Sequence, residues 1–310
     1  MTMKKLTVLY ISLLILARVG FSAQDPLSSL FMTNPYLINP GLTGTFDYYQ
    51  IITNHRLQWV GFTDAPMTNY ISLYGPMVKQ PMGVGGYIMS DIVGPVSVTS
   101  FNGTYAYQYG VMEDLKISMG LKLGMFQYKI DGSQINMETP DDQAFREGEV
   151  YQTFKPDASV GIYAWSSYYN AGFSVTNLFG NKMQFEDDTI DFKNRLTQNI
   201  YIHGGYSYFV NRELKIEPQI IMRTTQATAL SVDLNVRAWY SRRQWNDNQL
   251  WGGFSFRWKE SVTILMGVLV QKKIEVGYAY DIPVNKTFGP TNSGSHELVI
   301  GFKFNEIRQY

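Results

Sequence analysis

Apolar and polar residues alternate along much of this chain. The clearest case is residues 229–240, where the even-numbered positions are apolar and most odd-numbered positions between them are polar or charged. Because a strand turns successive side chains to opposite faces, the segment predicts a β-strand with one apolar and one polar face. In a soluble sandwich the polar face meets water, whereas in an outer-membrane barrel the apolar face meets lipid and the polar face a wet lumen.

The rest of the chain decides between these two folds. Fourteen segments have strand-like patterns bounded by turn signals, and they are residues 46–59, 67–75, 82–91, 96–109, 114–129, 154–165, 168–178, 197–210, 212–224, 228–240, 248–258, 261–271, 273–282 and 296–305.

The lengths of the connections favour a barrel. Counted from the first hairpin, the three longest connections, 130–153, 179–196 and 283–295, are all odd-numbered, and the even-numbered ones are short. Alternate connections of an up-and-down barrel lie on the same side of the membrane, but a sandwich gives no reason for such sorting. The pattern therefore predicts an all-β, antiparallel, up-and-down transmembrane β-barrel of about fourteen strands.

The N-terminus resembles a secretory signal peptide. Two lysines precede an apolar run over residues 6–17, and small residues follow as far as Ala23. The run is short for a membrane-spanning helix. We therefore assign residues 1–23 as a signal peptide of an exported protein.

Residues 24–45 contain three prolines, two of them in the pairs Asn34-Pro35 and Asn39-Pro40. Proline fixes the backbone and removes a hydrogen-bond donor, so this stretch predicts an irregular, extended N-terminal arm ahead of a barrel over residues 46–310. We place the arm on the periplasmic side. It is either a docking segment or a seal for the barrel floor.

Composition adds few chemical signals. The 26 acidic and 26 basic residues cancel, which gives no support to nucleic acid as a partner, and cysteine is absent. There is no phosphate-binding loop, nucleophile elbow or paired-histidine zinc motif. A lipase would have to use His203 with Ser207. We predict no enzyme activity, no cofactor and no metal, with the acidic stretches Asp141-Asp142 and 186–188 solvated rather than binding calcium.

Charged residues of both signs fall on the predicted lumen face. They could line a solute path or form a mutually neutralised network in a closed barrel, and the interleaved signs favour the network. In the ninth segment, Pro218 falls on the lipid face and predicts one missing ladder bond. The predicted lumen polar network is Glu213, Lys215, Glu217, Arg223, Asp233, Asn235 and Arg237.

Several short motifs together resemble the PorP/SprF family. They are Gln24-Asp25-Pro26, Phe31-Met32-Thr33-Asn34-Pro35, Ile38-Asn39-Pro40, Arg56-Leu57-Gln58-Trp59-Val60-Gly61-Phe62, Ala65-Pro66-Met67-Thr68, Gly172-Phe173-Ser174-Val175-Thr176-Asn177-Leu178, Gly277-Tyr278-Ala279-Tyr280-Asp281 and Ser295-His296-Glu297. The chain departs from the family pattern near Thr197-Gln198, where a histidine is expected.

The resemblance implies an outer-membrane protein of the type IX secretion and gliding machinery of Bacteroidetes. Its partners would be outer-membrane lipid, the secretion ring or peptidoglycan-associated components, and a secreted adhesin. Partner contacts are expected on the arm and first hairpin, and the last motif, Ser295, His296 and Glu297, is a C-terminal landmark. The partner-binding residues implied are Asn34, Pro35, Asn39, Pro40, Arg56, Gln58, Trp59, Gly61, Pro66 and Thr68.

These observations predict a non-enzymatic barrel that assists the export or surface attachment of a secreted protein such as an adhesin. The alternative from the fold is an outer-membrane channel for small or apolar solutes.

Overall fold

The computed structural model describes residues 28–134, 149–181, 196–225, 228–245, 247–284 and 292–306. Within them the chain is all-β and forms a closed antiparallel barrel of fourteen strands, as predicted. The strands are β1 Tyr49–Leu57, β2 Met67–Pro76, β3 Met82–Val93, β4 Val96–Gly110, β5 Lys116–Asp131, β6 Val150–Trp165, β7 Tyr169–Thr176, β8 Asn199–Tyr206 with Tyr208–Phe209, β9 Leu214–Thr225, β10 Ser231–Ser241, β11 Gln249–Arg257, β12 Ser261–Val270, β13 Ile274–Pro283 and β14 Ser295–Phe304.

Each strand pairs with its neighbour in sequence, and β14 pairs with β1 to close the barrel, with Phe304 opposite Tyr49. Closure pairs the first strand with the last, as a barrel in a bilayer requires. β8 is interrupted at Ser207, next to the point where Tyr206 lies opposite Pro218. The register is the same on both sides, so the two parts are one strand. Proline has no N–H to donate, which explains an interruption here.

The alternation of side chains follows the predicted faces. On β10, Leu234 and Val236 are 50% and 47% exposed on the outer surface, whereas Asp233 and Asn235 are each 2% exposed and face the lumen. The other strands likewise carry exposed aliphatic and aromatic side chains outside. This outer apolar surface is what a barrel in lipid needs.

Connections are sorted by length between the two ends of the barrel. Short turns of three to seven residues join β2 to β3, β4 to β5 and every second pair thereafter, and we name this the short-turn end. The opposite, long-connection end carries the three longest connections, residues 132–149, 177–198 and 284–294.

In the described part of the chain, helical structure is limited to four 3-10 turns, Pro35–Leu37, Pro40–Leu42, Gly132–Gln134 and Arg243–Trp245. Among the described residues no helix has the length and apolar character to cross a membrane. The hydrophobic core lies inside the barrel, where Leu30, Phe31 and Tyr36 pack against inward-facing residues such as Tyr74, Tyr201, Ile221 and Trp251.

Candidate functional site: an arm held inside the lumen

The described part of the N-terminal arm, residues 28–45, lies within the barrel. Leu30, Tyr36 and Leu42 are each at most 2% exposed. The sequence predicts an arm on the periplasmic side, but these residues occupy the lumen instead. Their apolar side chains would be costly in water, and the inner wall offers the surface that buries them.

The arm crosses the lumen from one end to the other. Its start contacts Asp281, two residues before the end of β13, at the long-connection end. Near its finish, the Gly44 carbonyl accepts a hydrogen bond from Gln108, and Gly44 packs against Gly83 at the start of β3, at the short-turn end. The chain therefore enters β1 only after it has traversed the interior.

A buried arginine fixes the start of the arm. Arg56 Nη2 lies 2.6 Å from Asp281 Oδ2, and Arg56 Nη1 lies 3.0 Å from Glu297 Oε2. The Ser29 N–H donates to Glu297 Oε2 at 2.7 Å and its hydroxyl donates to Asp281 Oδ2 at 2.9 Å, while Ser28 donates to Glu297. Charge-assisted bonds of this kind are stronger than neutral ones. We name Arg56, Asp281 and Glu297 the clamp.

A second ion pair extends the clamp along the inner wall. Arg257 Nε lies 2.9 Å from Asp233 Oδ2, and Thr263 donates to the second oxygen of Asp281 at 2.8 Å. Both members of the pair are at most 4% exposed. Buried charges are tolerated only when paired and hydrogen-bonded, so this region rigidly holds the groups that bind the arm.

The middle of the arm is held by neutral groups. The Asn34 amide donates to Asn54 at 2.9 Å and to Ser72 at 3.1 Å. The Tyr36 ring stacks on Tyr74 with centroids 4.1 Å apart, and its hydroxyl is 2.8 Å from that of Thr104. Either hydroxyl of this buried Tyr36–Thr104 contact can donate to the other.

The second Asn-Pro pair sits on a floor of glycines. Gly120, Gly161 and Gly172 face inward from β5, β6 and β7, and a side chain on any of them would collide with Asn39 or Pro40 or, at Gly172, with His203 as well. The arm therefore approaches the backbone of the wall, which only glycine permits. We name these three residues the glycine seat.

All polar atoms of the Asn39 side chain are used. Its oxygen accepts from the Gly41 N–H at 2.8 Å, and its amide nitrogen donates to the Ile162 carbonyl at 3.0 Å and contacts His203 Nε2 at 3.1 Å. The neighbouring Ile38 carbonyl accepts from Ser174 at 2.6 Å. This satisfies a buried amide that would otherwise cost free energy.

The first hairpin consists of β1, β2 and the connecting residues 58–66. Its connection meets the C-terminal motif at the long-connection end. Val60 exchanges backbone hydrogen bonds with Ser293 and Gly294 at 2.8 and 2.9 Å, and the Trp59 N–H donates to Ser295 at 3.2 Å. Glu297 faces the lumen and belongs to the clamp. His296 faces outward and contacts the Tyr278 hydroxyl at 2.6 Å.

Six of the ten residues predicted to bind a partner are buried and contact this chain: Asn34, Asn39, Pro40, Arg56, Pro66 and Thr68. Pro35, Gln58 and Trp59 are partly exposed, and Gly61 is exposed. Partner binding by any of these ten residues stays a prediction. What the structure adds is that the buried six hold the arm and the first hairpin against the wall.

Part of the predicted lumen network forms a second charged centre around Glu217. Glu217 lies 2.7 Å from Lys215 Nζ and 3.0 Å from Arg237 Nη2, and it accepts a hydrogen bond from the Trp239 indole at 2.7 Å. Asp233 and Asn235 are buried on the same face, Arg223 is partly exposed, and Glu213 lies exposed in a turn. The interleaved charges pair with one another rather than facing one open path.

The contacts of the two candidate lipase residues are structural. His203 binds Asn39 and stacks on Tyr163, with ring centroids 5.8 Å apart, and Ser207 donates to Glu217 at 3.4 Å. Within the described residues no group of three or more His, Asp or Glu is placed to hold a metal. The acidic stretches 141–142 and 186–188 lie outside the described residues.

Sequence reasoning missed the glycine seat and the clamp. The seat had a signal, because Gly120, Gly161 and Gly172 fall at inward-facing positions of three adjacent strands. The sequence singled out Arg56 for a partner and Glu297 as part of the C-terminal motif, but no local pattern pairs Arg56 with Asp281, 225 positions away.

These features define a class of protein: an outer-membrane β-barrel whose lumen is occupied by its own N-terminal arm. Residues 20–302 match the family model described as type IX secretion system membrane protein PorP/SprF. The chain belongs to the PorP/SprF family, as its motifs indicated. Membership associates it with the type IX secretion machinery and the membrane.

Solved structures share the barrel fold at low identity. A deltaS2S3 mutant of the monoaromatic hydrocarbon channel TodX is 8% identical, with 89% of this chain and 94% of that chain covered and a TM-score of 0.53. The toluene transporter TodX of Pseudomonas putida is 9% identical, with 93% and 96% covered and a TM-score of 0.49. BamA from Haemophilus ducreyi lacking POTRA domains 1–3 is 9% identical, with 95% and 82% covered and a TM-score of 0.42. A search of curated proteins finds no match.

Proposed function

We propose that this protein is a non-enzymatic barrel of the type IX secretion or gliding machinery that assists the export or surface attachment of a secreted protein such as an adhesin. The observation that carries the proposal is the arm itself. It is bonded to the wall at both ends and in the middle, which suits a binding component better than a conduit. Family membership supplies the secretion context.

The orientation follows from the connections. Outer-membrane barrels place short turns in the periplasm and longer connections outside. We infer that the long-connection end faces the cell exterior, so the first hairpin and the start of the arm face the exterior too. An impermeant maleimide should label Asp64→Cys in intact cells and Asp47→Cys only after lysis, because the two exposed residues lie at opposite ends. Labelling of Asp47→Cys alone in intact cells would mean that the barrel has the opposite orientation in the membrane.

The partner surface in this proposal is the exposed part of the first hairpin. Gln58, Trp59 and Gly61 lie at the long-connection end, and the backbone bonds of Val60 to Gly294 and Ser293 hold the hairpin in place. Aromatic anchors beside rigid backbone are typical of binding surfaces. We infer that a secreted protein or a neighbouring machine component contacts these residues.

A deletion strain tests this function. The fraction of surface adhesin and other type IX cargo that reaches the medium or cell surface should fall, and the wild-type gene should restore it. Trp59→Ala should restore secretion less well than Tyr168→Ala, which removes an exposed aromatic side chain at the short-turn end. Unchanged secretion in the deletion strain would refute the proposal. Equal rescue by both variants would refute the role of the first hairpin as the partner-binding surface.

Two other functions give distinct results. If the protein were a channel for small or apolar solutes, vesicles that contain the wild-type protein would take up such solutes. If the protein were a lipase, it would hydrolyse lipid, and the His203→Ala variant would lose this activity. We expect neither solute uptake nor lipid hydrolysis, because the arm fills the lumen and His203 is hydrogen-bonded to Asn39.

A further inference from the structure

The arm lies against the place where the barrel closes. We name the pairing of β1 with β14 the seam, and it joins nine residue pairs. Thr53 and Ile300 face each other in the seam although they are 247 positions apart, whereas the other strands pair with their neighbours in sequence. Bringing such distant segments together costs conformational entropy and is slow. Closing the seam is therefore the strand pairing with the largest loop-closure cost in this barrel.

The start of the arm is bonded to residues on the C-terminal side of the seam. Glu297 on β14 accepts hydrogen bonds from the Ser29 N–H at 2.7 Å and from Arg56 on β1 at 3.0 Å. Asp281 on β13 accepts from the Ser29 hydroxyl at 2.9 Å and from Arg56 at 2.6 Å. The arm and β1 together therefore satisfy two carboxylates of the last two strands, neither of which is more than 6% exposed.

The segment between the arm and β1 contacts the same strands at the short-turn end. Lys303 on β14 lies 3.1 Å from Glu275 on β13, and its Nζ atom lies 5.3 Å from the centre of the Tyr48 ring. Tyr48 directly precedes β1 and stacks on Phe46, with ring centroids 5.5 Å apart. Aromatic and cation–π contacts of this kind are stabilising. The chain ahead of β1 thus contacts the last two strands at both ends of the seam.

The middle of the arm reaches the wall opposite the seam. Asn39 is bonded to the Ile162 carbonyl on β6 and to His203 on β8, and it rests on the glycine seat. The arm therefore links strands on the two sides of the barrel. A segment with such contacts can hold an incomplete sheet in its curved shape. The last pairing then joins strands that are already close together, at a high effective concentration of each for the other.

The path of the arm disfavours its entry into a finished barrel. Its finish is joined to β1 at the short-turn end, so Ser29 would have to travel the length of the lumen to reach Asp281. Protein interiors are close-packed, and the Tyr36 ring lies against Tyr74 and Tyr87, with ring centroids 4.1 and 6.0 Å away. An arm that binds the inner wall before closure does not have to pass through this packed region.

We propose that the arm is an internal template for assembly of the barrel: it binds the inner faces of the strands first, and the clamp then draws β1 onto β14. This role concerns folding of the barrel and is independent of the proposed function in secretion. A template speeds closure of the seam, whereas an arm that enters afterwards only stabilises the closed barrel.

Introduced cysteines can measure the order of the two events, because the chain has none of its own. Thr43→Cys with Thr104→Cys reports docking of the arm on β4, since the native hydroxyl oxygens are 3.3 Å apart. Thr53→Cys with Ile300→Cys reports closure of the seam. Each variant is diluted from urea into detergent micelles, oxidised briefly at successive times and blocked with N-ethylmaleimide, and mass spectrometry quantifies the disulfide.

The template predicts that the disulfide between the arm and β4 forms before the disulfide across the seam. Formation of the seam disulfide first, or of both disulfides at the same rate, would overturn the proposal.

A serine substitution tests whether the arm also speeds closure. Ser29→Ala removes the hydroxyl that contacts Asp281 and Arg56 but keeps the backbone donor to Glu297. It should slow closure about tenfold, as expected if a hydrogen bond to a charged group has already formed in the transition state. Ser118→Ala is the matched control, because it removes a buried hydroxyl on β5 that has no hydrogen-bond partner in the described part of the chain.

Mobility on unheated SDS gels provides the time course, because closed barrels migrate faster than unfolded chains. Slower closure of Ser29→Ala than of Ser118→Ala supports the template. Equal closure rates, with Ser29→Ala only unfolding faster, would mean that the arm docks after closure and would overturn the proposal. The order of the disulfides is measured with Ser29 intact, so it does not depend on folding of the Ser29→Ala variant. Neither measurement depends on whether the deletion strain secretes.

Discussion

Arg56 links the barrel wall to the start of the arm through two buried carboxylates. It neutralises Asp281 and Glu297, and these two carboxylates in turn bind Ser29 of the arm. All three clamp side chains are at most 6% exposed, so none can be compensated by water if a partner is lost.

Replacing Arg56 should therefore be costly. We expect Arg56→Leu to lower the free energy of unfolding by about 3–5 kcal/mol, because two buried carboxylates lose their counter-ion. Chemical unfolding in detergent measures the change. Lys272→Ala is the matched control, since it removes an exposed pair with Asp247 worth less than about 1 kcal/mol. Equal effects of the two substitutions would contradict the role given to the clamp.

The glycine seat gives a second test at the same scale. Gly161→Ala introduces a methyl group against Asn39 and should cost about 1–3 kcal/mol, as overpacking generally does. Gly110→Ala, at a strand end with open space around it, should cost little. Thermal unfolding compares the two variants, and an undisturbed Gly161→Ala would mean that the arm does not lie on the seat.

At the scale of elements, strands and arm differ in how far sequence patterns predict them. On β10 the alternation of Leu234 and Asp233 follows from lipid on one side and a wet lumen on the other. The position of a residue along the strand is therefore enough to predict the face on which its side chain lies. The place of the arm depends on contacts such as Asn39 with His203, 164 positions away. No local pattern encodes such a pairing, and Asn-Pro pairs suit a periplasmic segment as well as a lumen turn.

The position of the arm can be tested by cross-linking. The chain has no cysteine, so introduced pairs give an unambiguous result. Asn34→Cys with Ser72→Cys should form a disulfide in outer membranes, because the native side chains are hydrogen-bonded at 3.1 Å. Asn34→Cys with Gln108→Cys, which contacts Gly44 at the short-turn end, should not. Cross-linking of both pairs, or of neither, would contradict a fixed arm.

The whole molecule combines two properties. The wall is a closed cylinder with apolar side chains outside, which the sequence pattern predicted. The interior is a packed core made by the arm and the inner wall. The sequence left a docking arm and a seal for the barrel floor both open, because inward-facing Ile221 and Trp251 look like exceptions until the arm is present. The lumen is therefore filled rather than open.

Single-channel recording in planar bilayers tests that claim most directly. The wild-type protein should show no steady conductance, and a variant lacking residues 28–45 should insert and conduct, because its lumen has lost the segment that fills it. The disulfide-locked Asn34→Cys, Ser72→Cys protein should stay silent. A steady conductance of the locked protein equal to that of the arm-deleted variant would contradict the account.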